Sequence, residues 1–435
     1  MRNITKRVYS VAAAAASLIC AFALSPVQAA DLGGNCCVDL EERIAELESM
    51  AVRKGNRKVS LTISGWVSEQ IVHWDDGVES NTYITGLGSA FASNVNFTGK
   101  AQISQDLSAG YVLHIEAITS DVYTTNADTS RGGAAITGGP PNSLQVLYSY
   151  WYLKSEQLGR FALGQISPAD DSAVQMLDSS GSLVAAYWVA YDVFGFNVRG
   201  NFAAGDSVIW GNASSCRGFG GGPGDCNGLP VNIVRYDTPV FGGFSGRVSW
   251  GEDDNWAVAA QYVNNNFGDM TVKGLLTYSE TTDARPGAPA GGALEYMMAS
   301  DYLQHNPTGL FAHAAWGQID QSVNPLNNPE SDTYYIKAGA RLKAVPLGAT
   351  IPYGEFLRAT DSAFVVNDSG TAERSDDVGR VVAGSEATFW GFGVVQEIDA
   401  AAMSVWLRYR EHELDLPGVD TENMSTIAFG GFINF

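Results

Sequence analysis

Residues 334–343 read YYIKAGARLK, and this stretch decides the fold class. Apolar residues occupy every even position, while Lys337, Arg341 and Lys343 stand at odd positions. Successive side chains of a β-strand point to opposite faces. The stretch therefore predicts a strand of about ten residues with one apolar face and one charged face.

The same period of two recurs from residue 59 to the end of the chain. We count about sixteen such runs. They lie near residues 59–74, 93–106, 110–120, 143–155, 159–166, 229–238, 243–252, 255–264, 269–280, 296–305, 309–320, 332–343, 348–358, 387–398, 402–413 and 423–435. Short and long connections mostly alternate, as they do between the two rims of a bacterial barrel.

The apolar faces of these strands could point to a soluble core or to lipid. Three features favour lipid. The polar faces are rich in charge, and aromatic residues gather at strand ends. The number of strands is large and even, and a sheet loses its exposed edges only by closing into a barrel. The aromatic residues are Trp74, Tyr111, Trp250 and Trp256. We predict an all-β fold, a 16-stranded antiparallel transmembrane β-barrel over residues 59–435, preceded by a short α-helical or coiled-coil segment.

The first 29 residues have the features of a signal peptide for export. A basic start precedes an apolar run at 11–24, and Val27 and Ala29 are small residues at the −3 and −1 positions. Cleavage after Ala29 removes three basic and no acidic residues from a formal charge of −21, which leaves −24. Such acidity argues against a nucleic-acid surface, which needs clustered Lys and Arg, and suits a surface that meets cations.

Residues 30–58 are predicted to form a separate periplasmic segment with a basic hinge at 53–58. Its apolar residues fall at three-four spacing, which is typical of an amphipathic helix. They are Cys37, Leu40, Ile44, Leu47 and Ala51. The helix could pack on its own domain or form a coiled coil between subunits, although two heptads alone are marginal.

Five stretches of the chain resemble the trimeric general porins of alphaproteobacteria, especially those of rhizobial type. They are ADLGG at 30–34, DLEERIAELE at 39–48, RKGNRKVSLTISGWV at 53–67, VRYDTPVFGGFSGRVSWGEDD at 234–254 and FINF at 432–435. The resemblance implies a homotrimer in outer-membrane lipid, inserted by the barrel-assembly machinery. It also implies that the connection at 167–228 folds into the lumen and narrows it. Some related barrels are linked to peptidoglycan through an Ala-Asp start, which Ala30-Asp31 would match.

The constriction is expected to combine acidic loop residues with basic wall residues, because opposed charges across a narrow pore disfavour apolar solutes. The acidic candidates are Asp170, Asp171 and Asp178, and the basic candidates are Lys100, Arg160, Arg247, Arg341, Arg408 and Arg410. The alternative is that each charge faces bulk water, or that an Asp binds turn amides.

Three further sites are predicted from residue type and position. Cys216 and Cys226 flank a Gly-rich stretch and could form a local disulfide in an oxidising compartment. The terminal aromatic residue Phe435 would act as a membrane assembly signal. We expect no metal and no cofactor, because no His lies at ligand spacing from the cysteines.

The sequence therefore predicts a passive diffusion channel in the bacterial outer membrane, for small hydrophilic solutes and ions. Two alternatives remain open: a substrate-specific channel, for example for sugars, and a barrel that mainly tethers the membrane to peptidoglycan. An enzyme is not expected, because the five histidines are scattered and carry no local catalytic signature.

Overall fold

The computed structural model describes residues 58–122, 124–130, 143–171, 173–186, 193–214, 230–251, 254–281, 294–320, 329–367 and 378–435. It divides the chain into two compact units, residues 1–61 and 62–435. The strands and helices of the described residues all belong to the second unit. The predicted signal peptide, residues 30–57 of the predicted N-terminal segment with Ala30-Asp31, and the Cys216–Cys226 pair lie outside the described residues.

The described residues form twenty-one strands, two short α-helices and two 3-10 helices, Trp210–Asn212 and Asp399–Ala401. The strands are β1 (Thr62–Asp75), β2 (Ser80–Gly86), β3 (Ser93–Gln102), β4 (Leu107–Ile118), β5 (Ser143–Ser155), β6 (Gly159–Ile166), β7 (Asp206–Ser207), β8 (Val231–Asp237), β9 (Phe244–Gly251), β10 (Asn255–Phe267), β11 (Met270–Thr281), β12 (Leu294–His305), β13 (Leu310–Asp320), β14 (Ser331–Ala340), β15 (Leu342–Val345), β16 (Gly348–Thr360), β17 (Phe364–Asn367), β18 (Val378–Val381), β19 (Glu386–Ile398), β20 (Met403–Asp415) and β21 (Met424–Asn434). The α-helices are α1 (Gly88–Phe91) and α2 (Ala173–Leu177).

Eighteen of these strands form one antiparallel sheet that closes on itself, since β21 pairs with β1 from Trp66↔Asn434 to Asp75↔Ser425. Two barrel strands are each built from two pieces. One of them consists of β2 and β3, which pair with opposite halves of β1. The other consists of β14 and β15, which both pair with β16. The result is a closed barrel of sixteen strands, which confirms the predicted fold class.

The exposure of apolar and charged side chains in this barrel is the reverse of that in a soluble protein. In β14, Tyr334 is 51% exposed and Ile336 50% exposed, whereas Lys337 is 1% exposed. The outer face of β14 therefore presents an apolar surface and its charged phase points inwards, as expected where lipid surrounds the barrel. Among the described residues, no helix is long and apolar enough to cross a membrane.

Trp74 differs from its predicted place in an outer aromatic girdle. It lies on the inward phase of β1, where it is buried and contacts Tyr83 and Phe196 at ring-centroid distances of 5.6 and 5.0 Å. Its position near a strand end was compatible with either face. Val67 and Ile71, at odd positions of β1, are exposed on the outer face, so Trp74 at an even position points into the barrel.

The connection between β6 and β8 supplies a second layer inside the barrel. Residues between Val193 and Ala213 contribute to an apolar cluster with inward side chains of the wall, including Trp74, Phe389 and Leu414. A small sheet of β7, β17 and β18 lies beyond the strand ends of the barrel. This connection also carries the residues predicted to narrow the lumen.

Candidate pore constriction

The segment 167–171 follows β6 and is fixed to the inner wall by β8 and β9. Arg235 Nη1 donates to the carbonyl oxygen of Ser167 at 3.0 Å, and the backbone N–H of Ala169 donates to Ser249 Oγ at 2.9 Å. Asp170 and Asp171, which follow directly, are buried. These contacts place the start of the segment against the wall, so its two carboxylates have left bulk water.

Asp178 follows α2 and forms a buried ion pair with Lys337 of β14, in which both side chains are almost fully buried. Burial alone would raise the pKa of Asp178. The charges of Lys337 and His313 and the hydrogen bonds from Lys337 and Ser180 outweigh burial and lower the pKa to about 2. The carboxylate is therefore ionised at neutral pH and binds the segment to the wall.

Two neighbouring contacts extend this attachment along the segment. Lys273 of β11 donates a hydrogen bond to Ser179 Oγ. Arg341 Nη1 donates to the carbonyl oxygen of Ser180 at 3.3 Å and also pairs with Glu397 at 2.5 Å between Nη2 and Oε2. Three basic wall residues, Lys273, Lys337 and Arg341, thus bind three consecutive residues of the inward segment.

The carbonyl oxygen of Ala185 is the point at which the segment binds β20. It accepts hydrogen bonds from Arg408 Nη1 at 2.9 Å, from Arg410 Nη2 at 2.8 Å and from the Tyr353 hydroxyl at 3.2 Å. A carbonyl oxygen with three donors, two of them cationic, is strongly held. Arg408 and Arg410 are buried, so they contact the segment and do not face open water.

Glu355 of β16 balances one of these arginines. Its Oε1 accepts from Arg410 Nε at 2.9 Å, and both side chains are 0% exposed. The Tyr335 hydroxyl lies 3.0 Å from Glu355 Oε2 and 2.8 Å from the carbonyl oxygen of Ala186. A buried charge requires such a partner, because removing it from water without one costs several kcal/mol.

The remaining basic candidates lie on other parts of the inner wall. Arg160 pairs with Asp237 at 2.7 Å, and Arg247 Nη2 lies 3.4 Å from Gln261 Oε1, within the field of Asp170 and Asp171. Lys100 is exposed on β3, away from these contacts. The predicted residues thus fall into two groups on different parts of the inner wall. The group at β14, β16 and β20 contains Asp178, Arg341, Arg408 and Arg410. The group at β6, β8 and β9 contains Asp170, Asp171, Arg160 and Arg247.

Sequence reasoning missed six charged residues of this region: Lys273, Lys337, Arg235, Glu355, Asp237 and Glu397. Lys337 and Arg235 lie on the polar phase of runs that were recognised, and Glu355 and Asp237 lie on strands whose bounds were nearly right. The inward phase was the usable signal for Lys337 and Glu355. Many other residues also point inwards, and only the position of residues 178–186 shows which of them contact the inward segment.

The described residues contain one Ser–His contact that resembles part of a catalytic site. Ser300 Oγ lies 3.2 Å from His313 Nε2, but it also donates to the carbonyl oxygen of Ala314 at 2.9 Å. Within the described chain, His313 Nδ1 has no hydrogen-bond partner, so no carboxylate orients this imidazole as a base requires. The described part also holds no group of three or more His, Cys, Asp or Glu that could bind a metal ion.

Comparison with known proteins relates this geometry to one family. A family model described as Gram-negative porin matches residues 11–432. No curated protein sequence matches the chain significantly.

Solved structures with the same fold include three bacterial outer-membrane proteins. The anion-selective porin from Comamonas acidovorans has a TM-score of 0.55 and 16% identity, covering 87% of this chain and 100% of that one. The outer membrane channel DcaP of Acinetobacter baumannii has a TM-score of 0.51 and 10% identity, with coverage of 88% and 100%. OmpT of Vibrio cholerae, in a trimer form, has a TM-score of 0.50 and 10% identity, with coverage of 87% and 99%. At these identities the likeness is one of fold.

Proposed function

This chain belongs to the Gram-negative porin family, and we propose that it is a general diffusion pore whose size limit is set by residues 167–186. Membership of the family and the closed sixteen-stranded barrel make it a passive channel of the outer membrane. The finer proposals concern the constriction, its selectivity and the assembly.

The binding of Ala185 by Arg408 and Arg410 is the observation that carries the constriction proposal. A barrel of this size leaves an aqueous channel unless something inside narrows it. Residues 178–186 lie along the inner wall at β14, β16 and β20, where cationic and hydroxyl donors hold them. We assign Arg341, Arg408 and Arg410 to anchoring this segment, and Arg160, Arg247 and Lys100 to the charged lining. Asp170 and Asp171 are buried and are assigned to fixed negative charge directly behind that lining.

We propose a weak cation preference. The chain has 47 acidic and 26 basic residues, and three of the predicted lining cations are engaged in anchoring. An acidic mouth concentrates cations over about one Debye length, roughly 10 Å at 0.1 M salt, so the preference should fade as salt rises. The anion selectivity named for the Comamonas porin belongs to that protein.

Reversal potentials in planar bilayers test the lining. Asp170→Asn with Asp171→Asn should shift the reversal potential toward anions, because two carboxylates at the start of the inward segment lose their charge. Asp269→Asn, at an exposed short turn, is the matched control and should leave the potential nearly unchanged. An anion-selective wild type, or a potential that does not move in the double variant, would overturn this placement of the constriction.

The assembly proposals are a homotrimer of the rhizobial type, insertion guided by Phe435, and a link to peptidoglycan through Ala30-Asp31. Phe435 is exposed, and its backbone exchanges hydrogen bonds of 3.1 and 3.0 Å with Gly65 at the closing seam. A terminal residue at the seam would be accessible to an assembly factor until the barrel closes. Replacing Phe435 with Ser should reduce the amount of heat-modifiable barrel in the outer membrane, and an unchanged amount would refute its role.

A further inference from the structure

Five aromatic side chains form a continuous row on the inner wall, which we name the aromatic track. The members are Trp66 of β1, His114 of β4, and Tyr148, Tyr150 and Tyr152 of β5. Successive ring centroids are 6.2, 5.5, 6.3 and 6.5 Å apart. Spacings of this size let neighbouring rings stabilise one another.

The three tyrosines share the inward phase of β5. Trp151 and Leu153, which alternate with them, are exposed on the outer wall. Tyr152 lies against Gly110, where an added Cβ would come within 2.2 Å of the ring. Because Gly110 has no side chain, the Tyr152 ring can lie close to the wall. Tyr150 and Tyr152 remain partly exposed and continue from Tyr148 toward the short turn at 156–158.

Polar groups of both signs border the track. The Tyr148 hydroxyl lies 3.1 Å from Ser167 Oγ, at the start of the inward segment. The Arg160 guanidinium lies 5.9 Å from the centre of the Tyr152 ring and pairs with Asp237. The middle of the track therefore lies beside the start of the inward segment, and hydrogen-bond donors and acceptors flank its Tyr152 end.

Trp66 stacks on Phe91 at 4.5 Å and His114 is buried, so the part of the track that can meet a solute is Tyr150 and Tyr152, which are partly exposed. We infer that these two tyrosines of the aromatic track bind the rings of neutral sugars as they pass the constriction. A pyranose ring carries C–H bonds with partial positive charge on its faces, which are attracted to the negative face of an aromatic ring. Its hydroxyl groups hydrogen-bond to the tyrosine hydroxyls and to the flanking charged groups. Paired charges of both signs favour a neutral polar solute over a single ion. This inference rests on the proposed function and gives the pore a class of preferred solute.

The test is blockage of ion current by maltotriose, with sorbitol as an open-chain polyol that has no ring to stack. Wild-type channels in a planar bilayer should show concentration-dependent current reduction with maltotriose and much weaker reduction with sorbitol. Tyr150→Leu with Tyr152→Leu should raise the half-blocking concentration about tenfold, which corresponds to about 1.4 kcal/mol for two rings. Trp151→Leu, between them on the outer wall, is the matched control and should leave the block unchanged.

Tyr150→Phe with Tyr152→Phe separates stacking from hydrogen bonding. It keeps both rings, so the half-blocking concentration should stay within about threefold of wild type if stacking dominates. Equal block by sorbitol, an unaltered block in the leucine variant, or no block in a conducting wild type would overturn the sugar track. A wild type that forms no conducting channel would instead overturn the proposed function. Heat-modifiable mobility shows that each variant has folded.

Discussion

At the scale of single residues, the inner wall carries ionised side chains that a soluble core would exclude. Lys337 is the fourth residue of the stretch YYIKAGARLK, and its ammonium group is buried against Asp178. Such a pair is costly to desolvate and costly to break, because removing one partner leaves the other buried and uncompensated. The pair therefore specifies where the inward segment binds, whatever its net contribution to stability.

Asp178 gives the attachment a defined pH dependence. Its pKa is lowered to about 2, below the ordinary value near 3.9, so the stabilisation is present above about pH 4 and is lost as pH falls through 2. Single-channel current noise, a measure of segment movement, should be constant from pH 7 to about 4 and should increase below that value.

Lys337→Met is the variant that identifies the group responsible. Without the ammonium, burial raises the pKa of Asp178, and the rise in noise should begin at higher pH than in wild type. Lys154→Met removes an exposed lysine near a short turn and should keep the wild-type profile. A wild-type transition centred near pH 6 would assign the dependence to another group.

At the scale of elements, β16 and β20 hold the inward segment jointly. Glu355 and Arg410 lie on strands that are not adjacent in the sheet. The register pairs Glu355 of β16 with Gly391 of β19, and it pairs Gly391 with Arg410 of β20. Gly391 lies between them on β19, and an added Cβ there would approach Arg410 Cγ to 2.8 Å. The glycine thus leaves space for the two long side chains to meet across an intervening strand.

Arg410→Met should destabilise the barrel by about 3–5 kcal/mol, because Glu355 remains buried without its cation. The loss is measured from urea unfolding in detergent micelles. The double variant Arg410→Met with Glu355→Leu should recover most of it, because both charges are gone. Additive losses would mean that the two side chains are not coupled.

At the scale of the whole molecule, closure between β1 and β21 leaves the barrel wall without an open edge. An open edge would expose unpaired backbone groups to lipid, where each costs several kcal/mol. Strand alternation gives a chain with 17% charged residues a mainly apolar outer wall, because it puts charges such as Lys337 and Arg410 on the inner face. A few charged residues, such as Glu69 and Asp301, share the outward phase with exposed apolar residues.

The homotrimer is tested by electrophoresis in mild detergent. Unboiled protein should migrate as a large species and boiled protein as a monomer, because apolar outer walls associate and the closed sheet resists detergent. Chemical cross-linking before boiling should capture species up to the trimer. Monomer alone under both conditions, across several mild detergents, would contradict the trimer.

The sequence by itself determined the wall of the barrel. The runs at 143–155 and 159–166 coincide with Ser143–Ser155 and Gly159–Ile166, and the count of sixteen strands is confirmed. The period of two is local, so each strand carries its own evidence for inside and outside. β2 was missed, because its seven residues, SNTYITG, have little apolar alternation.

Only the tertiary structure decided which inward charges meet. Asp178 and Lys337 are 159 residues apart, and Arg410 lies 225 residues from Ala185. The strand phase placed Lys337, Arg408 and Arg410 inside but could not distinguish an anchoring role from a lining role. That distinction depends on the path of residues 167–186 across the lumen. The path follows from closure of the whole sheet, which brings distant strands to one wall, and no local pattern records it.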